Sequence, residues 1–425
     1  MNAPWRYGAL GFPLAFVALP LYVTLPAYYA ERFAVPLAAL GAVLLAARAL
    51  DALADPFIGR LADRWLDLPT AALLRRLGAA ALMLAASFAL LFFPPPLQGG
   101  SGAWLAWCAA LLLPTYAGYS LLMVTHQAWG ARLGGDALVQ TRLNAWREGL
   151  ALAGVLCASV LPSLAGMAAT SAVLALALLL ALPLLARAPR DGILHGERPQ
   201  QHAWSLAWRT PGFVRLMLVF LLNGIAAAIP ATLLLFFVRD RLQTAALEPL
   251  FLLAYFIAAA LSLPLWLRLV KRLGAARAWG CGMALAIAAF VWAASLGAGD
   301  WAGFVAVCIG SGIALGADLA LPGALLTRVI QRAGLAGRAE GAFFGWWNGA
   351  NKLNLALAAG LALPLLQLLG YAPGSRDAQA LQALTLAYCL LPCVLKAAAL
   401  LLLHLLCIRP ERHLEAVPCP PLTTT

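Results

Sequence analysis

Apolar stretches of near-constant length recur along the chain, separated by short polar turns. Twelve can be marked, at 9–28, 36–58, 77–94, 104–128, 144–164, 169–186, 212–237, 247–268, 279–296, 301–326, 342–369 and 381–407. Each approaches the roughly 20 residues that an α-helix needs to cross a bilayer core. The pattern predicts an all-α integral membrane protein with 12 transmembrane helices. The longest inside segment, RAPRDGILHGERPQQHAWSLAWRT at 187–210, is polar and carries prolines. It divides the chain into two pseudo-symmetric six-helix bundles, 1–186 and 211–407, joined by a cytoplasmic linker at 187–210 and followed by a cytoplasmic tail at 408–425. Two such halves around a midplane site are an architecture of secondary transporters. Trp204 to Arg209 reads as an interfacial amphipathic helix, and the tail with PCPPLTTT as disordered.

Composition agrees: 63% of the 425 residues are hydrophobic and only 11% charged, against about a quarter charged in soluble domains. The mean hydropathy is +0.86. The first apolar stretch has the length of a span and lacks a signal-peptidase pattern. A net charge of +12 raises the question of nucleic acid, and its distribution answers it. With the N-terminus inside, five of the 29 Lys and Arg lie in spans (Arg48, Arg147, Arg215, Lys352, Lys396) and four in outside loops (Arg32, Arg239, Arg241, Arg376). The rest are cytoplasmic, so the basic excess encodes orientation. The eight cysteines form no CxxC pair and no cluster with histidine, which leaves no metal or disulfide framework to read.

Ionisable residues inside the spans carry the candidate chemistry. Arg48, Asp51 and Asp55 fall within roughly 60° of one another at 100° per residue. At mid-bilayer each charge costs about 2.5–3.5 kcal/mol, so none can face lipid. Paired carboxylates in a protein-lined cavity suit Na⁺ or H⁺. Lys352 lies too deep to snorkel and needs a carboxylate or an anion, with Asp51 and Asp55 the nearest candidates in kind. Arg147 has the same need. Asp318, in Gly316-Ala-Asp-Leu-Ala-Leu-Pro, is expected to cap a broken helix, while Lys396 and His404 read as snorkelling or packing residues.

Two motifs carry a family resemblance. Gly59-Arg-Leu-Ala-Asp63-Arg64 resembles the loop signature of the major facilitator superfamily, in which the carboxylate and arginines latch the inner side. The stretch Arg48 to Gly59, R-x-x-D-x-x-x-D-P-x-x-G, resembles the second helix of the glycoside–pentoside–hexuronide:cation symporters, the melibiose-permease branch of that superfamily. The likeness extends through Tyr119-Ser120, His126-Gln127, Trp146-Arg147, Asn223-Gly224 with Ile229-Pro230, and Glu340 to Lys352. It implies the major facilitator fold and a coupling cation, H⁺ or possible Na⁺, on Asp51 and Asp55 with Ser120 beside them. It also implies a substrate cavity drawing on Tyr119, Gln127, Trp146, Arg147, Asn223, Asn348 and Lys352, with Arg48, Asp63, Arg64 and Asp318 in charge networks or gating.

Departures from the pattern bear on ion and cargo. Ala54 stands where sodium-coupled members carry an amide, which tilts the reading toward H⁺. Ala15 and Met123 stand where the sugar-binding carboxylates would fall. A cavity with Phe12, Phe16, Met123 and Trp146 suits an amphipathic or anionic solute, because unmatched sugar hydroxyls are costly to desolvate. The leading expectation is cation-coupled symport of a small solute, sugar-type or organic anion, by alternating access; lysophospholipid or another amphipathic lipid is the alternative cargo. A non-transporting receptor or scaffold is the reading from another class. No catalytic constellation appears, so no enzyme and no cofactor are expected. The expected setting is a bacterial cytoplasmic membrane, both termini inside, as a monomer among membrane lipids with no nucleic-acid partner.

Overall fold

The computed structural model describes residues 3–96, 100–188, 203–371 and 374–409. Most of the expected linker at 187–210, the tail at 410–425 and Cys419 lie outside these residues. The described chain is almost wholly helical. Eight described helices are long and apolar enough to cross a membrane. The difference from the twelve apolar stretches has identifiable sources. Helix Ala137–Ala186 covers two of the stretches and is broken at Gly166, whose φ of 75° and ψ of 175° suit a residue without Cβ. The first stretch is interrupted by a π-turn at Pro20–Thr24. Helices Leu37–Leu66 and Glu340–Leu368, which carry the second and eleventh stretches, are 30 and 29 residues long and are not among the eight.

The contacts divide the chain into two compact units. One comprises Met1–Trp208 with Thr327–Leu353, the other Arg209–Leu326 with Asn354–Thr425. Thr327–Leu353, which the span count places in the second half, therefore packs with the first unit, and glycine explains how. A Cβ on Gly59 would stand 2.1 Å from the Gly341 carbonyl oxygen, and one on Gly345 would stand 2.5 Å from that of Asp55. One on Gly349 would meet the Ala52 carbonyl at 3.1 Å. Gly341, Gly345 and Gly349 repeat every four residues and form a stripe along which Glu340–Leu368 lies backbone to backbone on Leu37–Leu66, the small-residue packing of membrane helices. Pro56 has no N–H for the Ala52 carbonyl at i−4, which falls on this contact.

The same device joins Gly11–Leu19 to Ala137–Ala186, where a Cβ on Gly11 would lie 2.3 Å from Arg147 O and one on Gly154 2.3 Å from Phe12 O. Aromatic residues fill the rest of this unit: Tyr7, Phe16, Tyr29, Phe88 and Phe92 are buried, and Tyr29 donates to Leu91 O at 2.9 Å. The second unit has its own core, in which Phe237 stacks on Tyr388 at 4.2 Å and Phe304 meets Phe251 edge-on at 4.8 Å. Beyond helix Glu340–Leu368, Tyr371 donates to Asp240, and the Gly374 N–H reaches the same oxygen at 2.9 Å. Burial and the adjoining carboxylate hold the Tyr371 phenol well above its usual range, so it remains a donor.

Gly59→Ala is expected to lower stability by about 1–3 kcal/mol through overpacking, whereas Gly78→Ala, where nothing lies within 4 Å of the new Cβ, should be neutral or slightly stabilising. Melting temperatures of the two variants in detergent check the difference; equal values would remove the glycine contact as the basis of the packing.

Candidate functional site

The glycine contact sets the register that brings Lys352 to Asp51 and Asp55 within the first unit. Lys352 Nζ stands 2.7 Å from Asp51 Oδ2 and 2.8 Å from Asp55 Oδ2. It donates to Asp55 Oδ1 at 2.9 Å and to Ser120 Oγ at 2.8 Å. Ser120, on helix Gly100–Arg132, in turn donates to Asp51 Oδ1 at 2.7 Å. Asp55 is 0% exposed, and its Oδ2, close to Nζ but outside hydrogen-bonding geometry, has no hydrogen-bond partner. Two carboxylates and one ammonium leave the cluster one positive charge short of neutrality. Removal of a buried charge from water costs several kcal/mol, and such a deficit is what a monovalent cation or a proton relieves. The oxygens of Asp51, Asp55 and Ser120 converge on the position of Nζ, so a cation bound to all three would displace it.

Arg48 does not join this cluster. Its guanidinium lies 4.1 Å from the centre of the Tyr22 ring, a cation–π contact on the partly exposed side of the helix. The helical wheel places it near the aspartates, but no ion pair joins them to it among the described residues. Gln127 and Asn348 do meet: Asn348 Nδ2 donates to Gln127 Oε1 at 2.5 Å. Tyr119 is half-buried, one residue before Ser120. Trp146 is 43% exposed. Arg147 is buried and paired with its neighbour Glu148 at 2.7 Å, a partner the spacing arguments overlooked.

Below the glycine stripe lies a second ionic group of the same unit. Asp63 accepts from the Gly341 and Ala342 N–H groups at 2.7 and 2.9 Å, which satisfies free donors at the start of Glu340–Leu368. Arg132 stands 3.3 Å from Asp63, 2.6 Å from Asp67 and 3.2 Å from Glu340. Arg64 is exposed and makes no ion pair among the described residues. The arginine on Asp63 is thus Arg132, at the end of the fourth span, which the linear motif does not include.

Asn223 and Asp318 belong to the second unit, where they meet each other. Asp318 lies inside the continuous helix Trp301–Arg332 instead of capping a broken one. Its Oδ1 accepts from Asn223 at 3.0 Å and Trp279 at 2.7 Å, and its Oδ2 from Lys396 at 2.9 Å. Lys396, expected to snorkel or pack, is 5% exposed and also donates to Asn223 Oδ1 at 2.7 Å. Asn354, buried on Gly224, has neither amide atom hydrogen-bonded. A lysine in an apolar span was the available signal for Lys396, and no sequence spacing links it to Asp318. Among the described residues no cluster of His, Cys, Asp and Glu is arranged to hold a metal.

Long apolar helices that bury ion clusters in their interior define an integral membrane protein of the transporter class. The chain matches the MFS/sugar transport protein family over residues 6–409 and belongs to that family, within the major facilitator superfamily. No curated protein matches it. Among solved structures it is similar to a bacterial homologue of the iron transporter ferroportin in an outward-facing state, at TM-score 0.70 and 15% identity over 97% of this chain and 100% of that one. It is also similar to a single-residue variant of the E. coli fucose:proton symporter FucP, at TM-score 0.65 and 14% identity over 95% and 98%. The human organic anion transporter MFSD10 gives TM-score 0.64 and 16% identity over 94% and 98%. At these identities the likeness is one of fold.

Lys352→Met is expected to destabilise the protein by about 3–5 kcal/mol, because it leaves two buried carboxylates facing each other without a counter-ion. Adding Asp55→Asn to it should recover part of the loss. Unfolding midpoints of the single and double variants decide: a double variant no more stable than Lys352→Met would mean that the carboxylates do not depend on the ammonium.

Proposed function

We propose that the protein is a cation-coupled symporter of the melibiose-permease branch, working by alternating access. The observation that carries this reading is the single ammonium shared by two buried carboxylates, one of whose oxygens lacks a donor. A proton on Asp55 would leave Asp51 and Lys352 as a neutral pair. A Na⁺ between the two carboxylates and Ser120 would expel Lys352 toward the substrate path. In either case the entering cation competes with Lys352, and this competition ties ion occupancy to the arrangement of the helices that carry the charges. Ala54, which supplies no side-chain oxygen, favours the proton. The Asp63–Arg132–Glu340 group would act as the cytoplasmic latch, with Arg64 and Arg48 outside the ion pairs.

The cargo in this proposal is a small organic solute, a glycoside-type sugar or an organic anion, with Tyr119, Gln127, Trp146, Arg147, Asn223, Asn348 and Lys352 as candidate substrate contacts. The family description and the fold shared with a fucose:proton symporter and an organic anion transporter support this range. A lysophospholipid or similar amphipath is the second reading, favoured by the apolar residues at 12, 15 and 123; Phe16, expected in the cavity, is instead sealed in the core. The proposed setting is a bacterial cytoplasmic membrane with both termini inside, the protein acting as a monomer.

Proteoliposomes loaded to give an inward H⁺ gradient, an inward Na⁺ gradient or neither, and offered a labelled glycoside, an organic carboxylate and a lysophospholipid, test the coupling. One ion gradient is expected to drive accumulation of one cargo class above equilibrium, and Asp55→Asn should abolish accumulation while retaining exchange. Uptake indifferent to both gradients, or accumulation that survives Asp55→Asn, would reject the assignment.

A further inference from the structure

The second unit holds a partly open cavity of about 160 Å³ whose walls are mostly apolar. An apolar cavity of roughly this size holds one benzene ring. Lys396 and Asp318 stand in its lining, together with Tyr255 and Tyr388. Two of the three Lys396 N–H groups are taken, by Asn223 Oδ1 at 2.7 Å and Asp318 Oδ2 at 2.9 Å. The third has no acceptor among the described residues. Neither the Tyr255 nor the Tyr388 hydroxyl has a hydrogen-bond partner among them either, although Tyr388 is 3% exposed. None of the three groups is sealed off without a partner; all three line one mostly apolar cavity, where a guest molecule can supply the partners that the described residues do not, and that combination points to a ligand.

Charge balance selects the ligand. Asp318 neutralises Lys396 and receives two further donors, from Asn223 and Trp279. Unlike the cluster at Asp51 and Asp55, this one has no deficit, so an ionic guest would bring an unbalanced charge into an apolar site. A polyol would leave most of its hydroxyls against carbon. An apolar body the size of one ring, with a single uncharged oxygen, meets both conditions: the oxygen accepts from Lys396, and a hydroxyl hydrogen can turn to a tyrosine. Pro230 and Pro322 also remove the usual i+4 donors of the cavity-lining Ala226 and Asp318 carbonyls.

We propose that this cavity binds an uncharged amphipathic molecule with a single polar head, an aromatic or short-chain alcohol, whose oxygen accepts the free Lys396 N–H. The site shares no residue with the cation cluster and stands independently of ion coupling.

Cys393 lines the cavity and serves as the reporter, while Cys157 and Cys281 are exposed and serve as internal controls. The full-length protein in detergent is treated with methyl methanethiosulfonate, and modification of each cysteine is followed by peptide mass spectrometry. Benzyl alcohol, benzoate and benzylammonium are compared, three probes with one ring and different head charge. Benzyl alcohol at three times its Kd is expected to slow Cys393 modification about fourfold, with Cys157 and Cys281 unchanged and the two ions without effect. Lys396→Met should remove the protection. Because that variant leaves Asp318 without its cation, Ala227→Phe, which fills the cavity from an exposed lining position, and Tyr255→Phe provide independent checks: the first should abolish protection and the second weaken it. Protection by benzoate or benzylammonium equal to that by the alcohol, protection by none of the three, or protection that persists in Ala227→Phe would each overturn the proposal.

Discussion

Everything in the first unit depends on how closely helix Glu340–Leu368 can lie on helix Leu37–Leu66. An ammonium and two carboxylates are stable away from water only when their separation is near 3 Å and their remaining atoms find partners. Side chains at the crossing would push the two helices apart, and Lys352 would then lose the carboxylates that compensate it. Gly59, Gly341, Gly345 and Gly349 remove that obstacle. The crossing also sets Asp63 against the first amides of Glu340–Leu368, so the same contact that buries the ion cluster caps the helix bearing its lysine. Arg132 gathers the surplus acids at that end.

The two buried lysine clusters differ in one number, their net charge. In the first unit Lys352 serves two aspartates and a serine, and an oxygen of Asp55 remains without a donor. In the second Lys396 faces one aspartate, whose oxygens are taken by three donors. The first arrangement is poised to accept a positive charge and the second is not. On the readings proposed above, that contrast in charge is what would separate an ion site from a neutral-solute site.

Particular residues mark how much of this was legible beforehand. Asp51, Asp55 and Lys352 stood out because each carries a charge where the bilayer tolerates none. Arg48 stands out for the same reason, but periodicity fixes the direction of its Cα–Cβ bond and not the end of its long side chain, which lies over the ring of Tyr22. Arg132 escaped notice at the edge of an inside loop, where arginine is commonplace. Lys396 reads as a snorkelling residue in the sequence, since that is the ordinary fate of a lysine near a span. The partner that holds it, Asp318, is 78 residues away in sequence.

The sequence by itself determined the membrane class, the helical content, the glycine positions and the presence of charges needing compensation, because these follow from the cost of placing polar groups in hydrocarbon. Which charges compensate which was decided only by the tertiary structure. Ion pairing depends on separations of a few ångströms between side chains tens to hundreds of residues apart, and those separations come from helix crossings that no local pattern encodes.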